Sequence, residues 1–143
     1  MNVLVLDAGV AAKWLLPAKD EPLSSQASAL HLRYTRAEVR IVVPDMFWAE
    51  VGNAVWNAAR RGRITTSVAE RAIAELVLYT FGTVPSRTLL KRAFALAASL
   101  GRSVYDCLYV ALAIESNAHM VTADERLANS VPAGLPIRWL GTM

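Results

Sequence analysis

Short apolar runs alternate along the chain with longer segments in which apolar residues recur at helical spacing. The runs are rich in β-branched residues and predict five strands, at residues 3–6, 40–43, 83–84, 119–122 and 137–140. Strands that alternate with helices usually pair in parallel and are covered by those helices. The pattern therefore predicts an α/β fold built on a parallel sheet.

Helix start and stop signals divide the segments between these strands. The predicted helices run from Val10 to Leu16, from Pro44 and Asp45 to about Arg61, onward from Thr66, from Pro85 and Ser86 to Gly101, and from Val104 to about Ser116. Ser103 and Asp106 have the spacing of a capping box before the last of them. No repeat or linker interrupts the 143 residues, so we expect one domain over residues 1–143.

Four carboxylates stand in contexts unlike those of the other acidic residues. Asp7 ends the first strand, Glu50 lies in the apolar segment "PDMFWAEVGNAVW", Asp106 is the only charge from residue 103 to 114, and Asp124 follows the strand "HMVT". Each has a structural alternative. Asp7 and Asp124 could cap helices, Asp106 could complete its capping box, and Glu50 could head a polar stripe with two asparagines.

The geometry of a parallel sheet favours a shared site for these four residues. The carboxyl ends of its strands lie at one edge, where ligands bind, and all four side chains can reach that edge. Converging carboxylates repel each other unless a cation lies between them, and an all-oxygen cluster suits Mg²⁺ or Mn²⁺. Zinc is disfavoured, because His31, His119 and Cys107 are each isolated in the sequence.

The sequence resembles a known family in four segments that cover nearly the whole chain, from Val3 to about Leu140. They are, in order, "VLDAGVAAKWLLP", "VPDMFWAEVGNAVW", "SVYDCLYVALA" and "MVTADERL". Together they resemble the PIN domain, and specifically the VapC-like toxins of bacterial toxin–antitoxin pairs. One departure is Gly9, where such proteins often carry Ser or Thr two residues after the first Asp. Thr122 keeps a hydroxyl at the end of a later strand.

The resemblance implies a fold, an activity and a set of site residues. The fold would be a single-domain α/β/α PIN-like fold with a five-stranded parallel sheet between helices, and the activity that of a Mg²⁺-dependent endoribonuclease. Asp7, Glu50, Asp106 and Asp124 match the family's acidic quartet, with Asp7 and Asp106 as the principal metal ligands. A metal ion held there would polarise a phosphate and activate a water for in-line attack, since no histidine is placed to act as a base.

Charge is consistent with an RNA substrate. The net charge of +3 comes from 15 basic and 12 acidic residues, and neutralising four acids at a site leaves 15 − 8 = +7. Twelve of the 15 basic residues are arginine, which suits phosphate better than lysine does. We expect Arg60, Arg61 and Arg63 to contact RNA; the alternative is a solvated helix end whose cations meet the helix dipole.

The apolar composition points to a protein partner. The hydrophobic fraction is 55% and the mean hydropathy +0.33, which are high for a small chain without an apolar stretch of about 18 residues that could span a membrane. Trp14, Leu15 and Leu16 cannot all face inward on a short helix, so we expect part of this surface to be covered. The resemblance implies two covers, a homodimer and an antitoxin that sends a basic side chain toward the acidic site. The single cysteine and the absence of a targeting signal predict a cytoplasmic protein without a membrane partner.

Other classes of protein fit less well. A phosphotransferase of the haloacid-dehalogenase kind needs a second Asp where this chain has Gly9, and a receiver domain needs an acidic pair at the first strand and a lysine at the last. The remaining alternative is a catalytically weak PIN-like module that acts only by binding RNA or a partner.

Overall fold

A computed structural model describes residues 2–17 and 21–143, which form one sheet between two helical layers. The strands are β1 (Asn2–Leu6), β2 (Val39–Pro44), β3 (Gly82–Val84), β4 (His119–Thr122) and β5 (Ile137–Trp139). All neighbours pair in parallel, in the order β3-β2-β1-β4-β5. The five predicted strands and the parallel sheet are confirmed.

In the described part of the chain, seven α-helices connect and cover the strands. They are α1 (Ala8–Leu15), α2 (Ser24–Thr35), α3 (Phe47–Arg60), α4 (Thr66–Leu76), α5 (Ser86–Leu100), α6 (Val104–Glu115) and α7 (Glu125–Ser130), with a 3₁₀ turn at Leu140–Thr142. Crossovers between parallel strands are right-handed, which puts α1 to α4 on one face of the sheet and α5 to α7 on the other. The contacts agree, because α1 packs on α2 and α3 while α5 packs on α6. None of the helices in the described ranges has the length and apolar character needed to cross a bilayer.

Local capping chemistry sets the start of the helices that carry the site. The Ser103 hydroxyl accepts a hydrogen bond from the Asp106 backbone N–H at 3.1 Å, and Gly101 ends α5 in the left-handed conformation with φ of 68°. Such a turn suits glycine, which has no Cβ to clash there. The chain therefore leaves α5 and enters α6 within three residues, which fixes Asp106 at the first turn of α6.

Helix α6 lies at the centre of the core. Its residues 107–113 are all buried, so the helix is covered on every side by the sheet and by α5. A helix that is apolar all round is the kind that packs in a core. The few polar groups on α6 are thereby held in fixed positions relative to β1 and β4.

Candidate active site

The four predicted carboxylates gather where the strand order reverses. From β1 the chain passes to β2 on one side, whereas β4 lies on the other side of β1 and leads on to β5. The Asp7 backbone N–H donates to the Val121 carbonyl at 3.1 Å, which ties the ends of the two central strands together. In open α/β sheets the crevice outside such a reversal is the usual place for a ligand.

Asp7 is held by a buried hydroxyl. Thr122, which is fully buried at the end of β4, donates to Asp7 Oδ2 at 2.7 Å and accepts from the Asp124 backbone N–H at 3.0 Å. Burial raises the pKa of Asp7 to about 6; the Thr122 hydrogen bond opposes this, and the charges of Glu50 and Asp106 add to it. Thr122 thus supplies Asp7 with a hydroxyl in a chain that lacks one at Gly9.

Glu50 is oriented from the other side by a tyrosine of α6. The hydroxyl of Tyr109, a residue only 1% exposed, donates to Glu50 Oε1 at 2.6 Å. Partial desolvation raises the pKa of Glu50; the Tyr109 hydrogen bond lowers it, and the charge of Asp106 raises it further. The bond joins residues 59 positions apart, so it sets the distance between α3 and α6 at the site.

Asp106 and Asp124 both lie close to the guanidinium of Arg102. Arg102 places Nη1 at 3.9 Å from Asp106 Oδ2 and at 3.7 Å from Asp124 Oδ2. Partial desolvation raises the pKa of Asp106; Arg102 lowers it and Asp124 raises it. The Oδ1 atom of Asp124 accepts from the Leu127 N–H at 3.1 Å, so the predicted structural alternative, a cap of α7, is confirmed for this residue. Asp7 makes no such cap with its side chain.

The chemistry of this donor set fits a hard divalent cation, although the side chains do not already form a closed site. Asp7, Glu50 and Asp106 are all oxygen donors, and the charge of Asp106 raises the pKa of both Asp7 and Glu50, so a cation between them would relieve this repulsion. Within residues 2–17 and 21–143, no group of three His, Cys, Asp or Glu side chains has the spacing of a formed metal site. Each carboxylate is instead held by a neighbour in the protein.

Sequence reasoning missed two of these neighbours. Tyr109 lies three residues after Asp106 on one helix, and that spacing was the available signal for it. Arg102 lies four residues before Asp106, a spacing that brings the two side chains together where Ser103 caps the start of α6. Arg126, which follows Asp124 in the sequence, forms no ion pair in the described part of the chain.

The predicted RNA-binding arginines are exposed at the far end of α3. Glu50 and Arg60 are ten residues apart, or about 15 Å along the helix axis at the usual rise. Arg63 is already paired with Glu21 at 2.8 Å, and Arg60 donates to Asn57 Oδ1 at 3.3 Å. Arg61 has no side-chain partner among the described residues, so it is the most available of the three.

Neighbouring helices of the chain cover much of the segment Trp14–Leu16, while Trp14 and Leu15 remain partly exposed. Helix α2 folds over α1, and Trp14 Nε1 donates to the Ala27 carbonyl at 2.9 Å. Leu16 is buried with Ala12 against α3 and α4, and Leu15 is partly buried beside it. Neighbouring helices on both sides allow consecutive residues of this short helix to be buried in part or in full. The predicted contact of these residues with an antitoxin stays a prediction.

Comparison with known proteins gives relatives over most of the chain. Ribonuclease VapC3 of Pyrobaculum aerophilum is 34% identical over 137 residues, which cover 91% of this chain and 95% of that one. Ribonuclease VapC9 of Mycobacterium tuberculosis is 33% identical over 101 residues, which cover 71% and 78%.

Solved structures share the fold at lower identity. PAE2754 from Pyrobaculum aerophilum superposes with a TM-score of 0.70 at 20% identity, covering 99% of this chain and 91% of that one. VapBC2 from Rickettsia felis, solved with a DNA fragment from its promoter, gives 0.62 at 14% identity, covering 96% and 98%. The sequence model of the PIN domain matches residues 4–130, a span that contains all four carboxylates of the site. The chain belongs to the PIN domain family.

Proposed function

We propose that this protein is a metal-dependent endoribonuclease that acts as the toxin of a toxin–antitoxin pair. The observation that carries the proposal is the set of carboxylates at the reversal of strand order: Asp7 and Glu50 are partly or fully desolvated there, the charge of Asp106 raises the pKa of both, and their oxygens suit a divalent cation. The relatives named as ribonucleases support RNA as the substrate, and the acidic cluster supports Mg²⁺, with Mn²⁺ as a substitute.

Asp7, Glu50 and Asp106 would hold the cation, each from a different element of the fold. A bound divalent cation supplies charge neutralisation at the phosphate and lowers the pKa of a water for attack on phosphorus. Thr122 fixes the orientation of Asp7, and Tyr109 fixes that of Glu50, so two of the three carboxylates are oriented before any ligand binds. Such preorganisation lowers the cost of assembling the site.

An apolar groove between α3 and α4 is the best supported surface for an antitoxin. It has a volume of about 330 Å³ and is lined mainly by apolar side chains, including Trp56, which is 59% exposed, and Ile73. The VapBC2 pair from Rickettsia felis shares the fold of this chain, which supports a small protein partner for it. The occupant proposed here is an apolar antitoxin helix that places a basic side chain near Glu50, at the start of α3.

A second copy of the chain is the other proposed partner. Leu90 and Phe94 are 49% and 66% exposed and lie one turn apart on the outer face of α5. Tyr105, at the start of the adjoining helix α6, is also 66% exposed. These residues lie in the helical layer opposite the α3–α4 groove, so a homodimer through α5 would leave the antitoxin surface free.

Cleavage of total RNA by the purified protein tests the activity. We expect cleavage with Mg²⁺, none after EDTA, and none in Asp106→Asn, whose melting temperature without metal stays at or above that of wild type because one repelling charge is removed. Mg²⁺ should also raise the melting temperature of wild type, since a ligand that binds only the folded state stabilises it. RNA that is bound but never cut would favour the binding module instead.

A further inference from the structure

Among residues 2–17 and 21–143, Arg102 is the basic side chain that lies within 4 Å of the site carboxylates. It lies between Gly101, whose left-handed backbone ends α5, and Ser103, which caps α6, so both flanking residues fix its position. Its Nη2 donates to Ser130 Oγ at 3.3 Å, which anchors the guanidinium to α7. The side chain is 24% exposed and contacts two carboxylates, Asp106 and Asp124, from one nitrogen.

The contacts divide the four carboxylates into two groups. Both oxygens of Asp124 are engaged, Oδ1 by the Leu127 N–H and Oδ2 by Arg102. Asp7 and Glu50 are oriented by neutral hydroxyl groups and have no cationic partner among the described residues. Asp106 belongs to both groups. It lies 3.9 Å from Arg102, and its charge also raises the pKa of Asp7 and of Glu50.

Nucleases with two metal ions place them about 3.5–4 Å apart with carboxylates shared between them. In this chain the guanidinium of Arg102 stands between Asp106 and Asp124, in the space where these two carboxylates could otherwise share a cation. We propose that Arg102 takes the place of a second cation, so that the site binds one divalent ion on the side of Asp7, Glu50 and Asp106. This inference rests on the proposed metal dependence and removes Asp124 from the set of metal ligands.

Counting bound ions tests the inference without measuring activity. Calorimetric titration with Mn²⁺ should give one ion per wild-type chain. Arg102→Ala should bind two ions, because Asp106 and Asp124 then face each other without a cation. Arg102→Lys keeps the positive charge and should therefore bind one ion per chain, as wild type does. Arg126→Ala, which removes the same charge from a neighbouring exposed position without an ion pair among the described residues, should match wild type.

A second variant tests the inference independently of Arg102. Asp124→Asn should keep one ion, with the dissociation constant within about threefold of wild type, whereas loss of a true ligand would weaken binding by tenfold or more. Two ions in wild type, one ion in Arg102→Ala, or a tenfold loss in Asp124→Asn would each overturn the inference while leaving metal dependence intact. Absence of any bound ion in wild type would overturn the proposed function as well.

Discussion

Among the site carboxyl groups, Asp7 has the pKa that burial and the repulsion of neighbouring charges raise most. Its pKa of about 6, against a usual value of 3.8, means that the folded protein holds a proton there over a pH range in which the unfolded chain has lost it. The strand-terminal position was predictable from sequence. The raised pKa was not, because it depends on Glu50 and Asp106, which other parts of the chain bring near.

This raised pKa predicts a pH dependence of stability without metal. The folded state binds more protons than the unfolded state between about pH 4 and 7, so the free energy of unfolding should fall as the pH rises through that range. A shift of about two units corresponds to about 3 kcal/mol at most. In Asp7→Asn this contribution is absent. Urea denaturation in EDTA at pH 4.5 and 7.5 should therefore show a larger loss for wild type than for Asp7→Asn, and equal losses would contradict the shift.

Tyr109 gives a prediction about a residue that orients a ligand without binding the ion itself. Tyr109→Phe removes the donor to Glu50 Oε1 and keeps the buried ring, so Mn²⁺ affinity and RNA cleavage should each fall by about 10–100-fold, the usual effect of losing a group that orients a metal ligand. Tyr105→Phe is the matched control, because Tyr105 lies one turn earlier on α6 and is 66% exposed. Calorimetry and cleavage assays on both variants measure the effect. If Mn²⁺ affinity and cleavage were the same in both variants, the Tyr109 hydroxyl would have no role in orienting Glu50, and Tyr109 would contribute only to packing.

At the scale of whole elements, local signals in the sequence were sufficient for most of the fold. Gly101 and Ser103 specify the turn between α5 and α6 by backbone conformation and capping, which depend only on neighbours in sequence. Helix α2 was missed. It begins after Leu23 in the left-handed conformation, without a side-chain cap, and its residues are partly polar, so neither a start signal nor a strong apolar stripe marks it.

The position of α2 separates the roles of two tryptophans, one beneath it and one on the opposite side of α3. Trp14 is packed under α2 with its ring 6.1 Å from that of Tyr34, whereas Trp56 lines the exposed α3–α4 groove. Trp14→Ala should lower the free energy of unfolding by about 3 kcal/mol, because it leaves a cavity and an unpaired Ala27 carbonyl. Trp56→Ala should leave stability within about 0.5 kcal/mol of wild type.

Antitoxin binding should respond in the opposite order. A buried aromatic anchor carries about 2 kcal/mol or more of binding energy, so Trp56→Ala should weaken the complex by at least about 30-fold. Titration with the product of the adjacent gene, beside melting curves of both variants, separates the two roles. Full affinity in Trp56→Ala would place the antitoxin on another surface. A selective loss of affinity in a stably folded Trp14→Ala would instead support the predicted antitoxin contact at Trp14 to Leu16.

At the scale of the whole molecule, the order of the strands is what makes one site from distant residues. Alternation of strands and helices predicted a parallel sheet and one functional edge, but several strand orders satisfy that pattern. The placement of β1 beside β4 rests on pairings such as Leu6 with Val121, more than 100 residues apart in the sequence. Asp7 and Thr122 meet only because of that pairing, so their hydrogen bond could not be predicted from either segment alone.

The distribution of charge over the two helical layers gives the final prediction. If RNA follows the α3 side of the molecule, Arg61→Ala should lower the slope of log K against log salt concentration by about 0.7–1, the contribution of one phosphate contact. Arg87→Ala, on α5 in the opposite layer, changes the net charge equally and should leave the slope unchanged. Binding to a non-cleavable RNA at several salt concentrations measures both. A smaller slope in Arg61→Ala alone identifies a contact between Arg61 and an RNA phosphate. Equal slopes in both variants and wild type would mean that Arg61 is a solvated residue at a helix end that does not contact RNA.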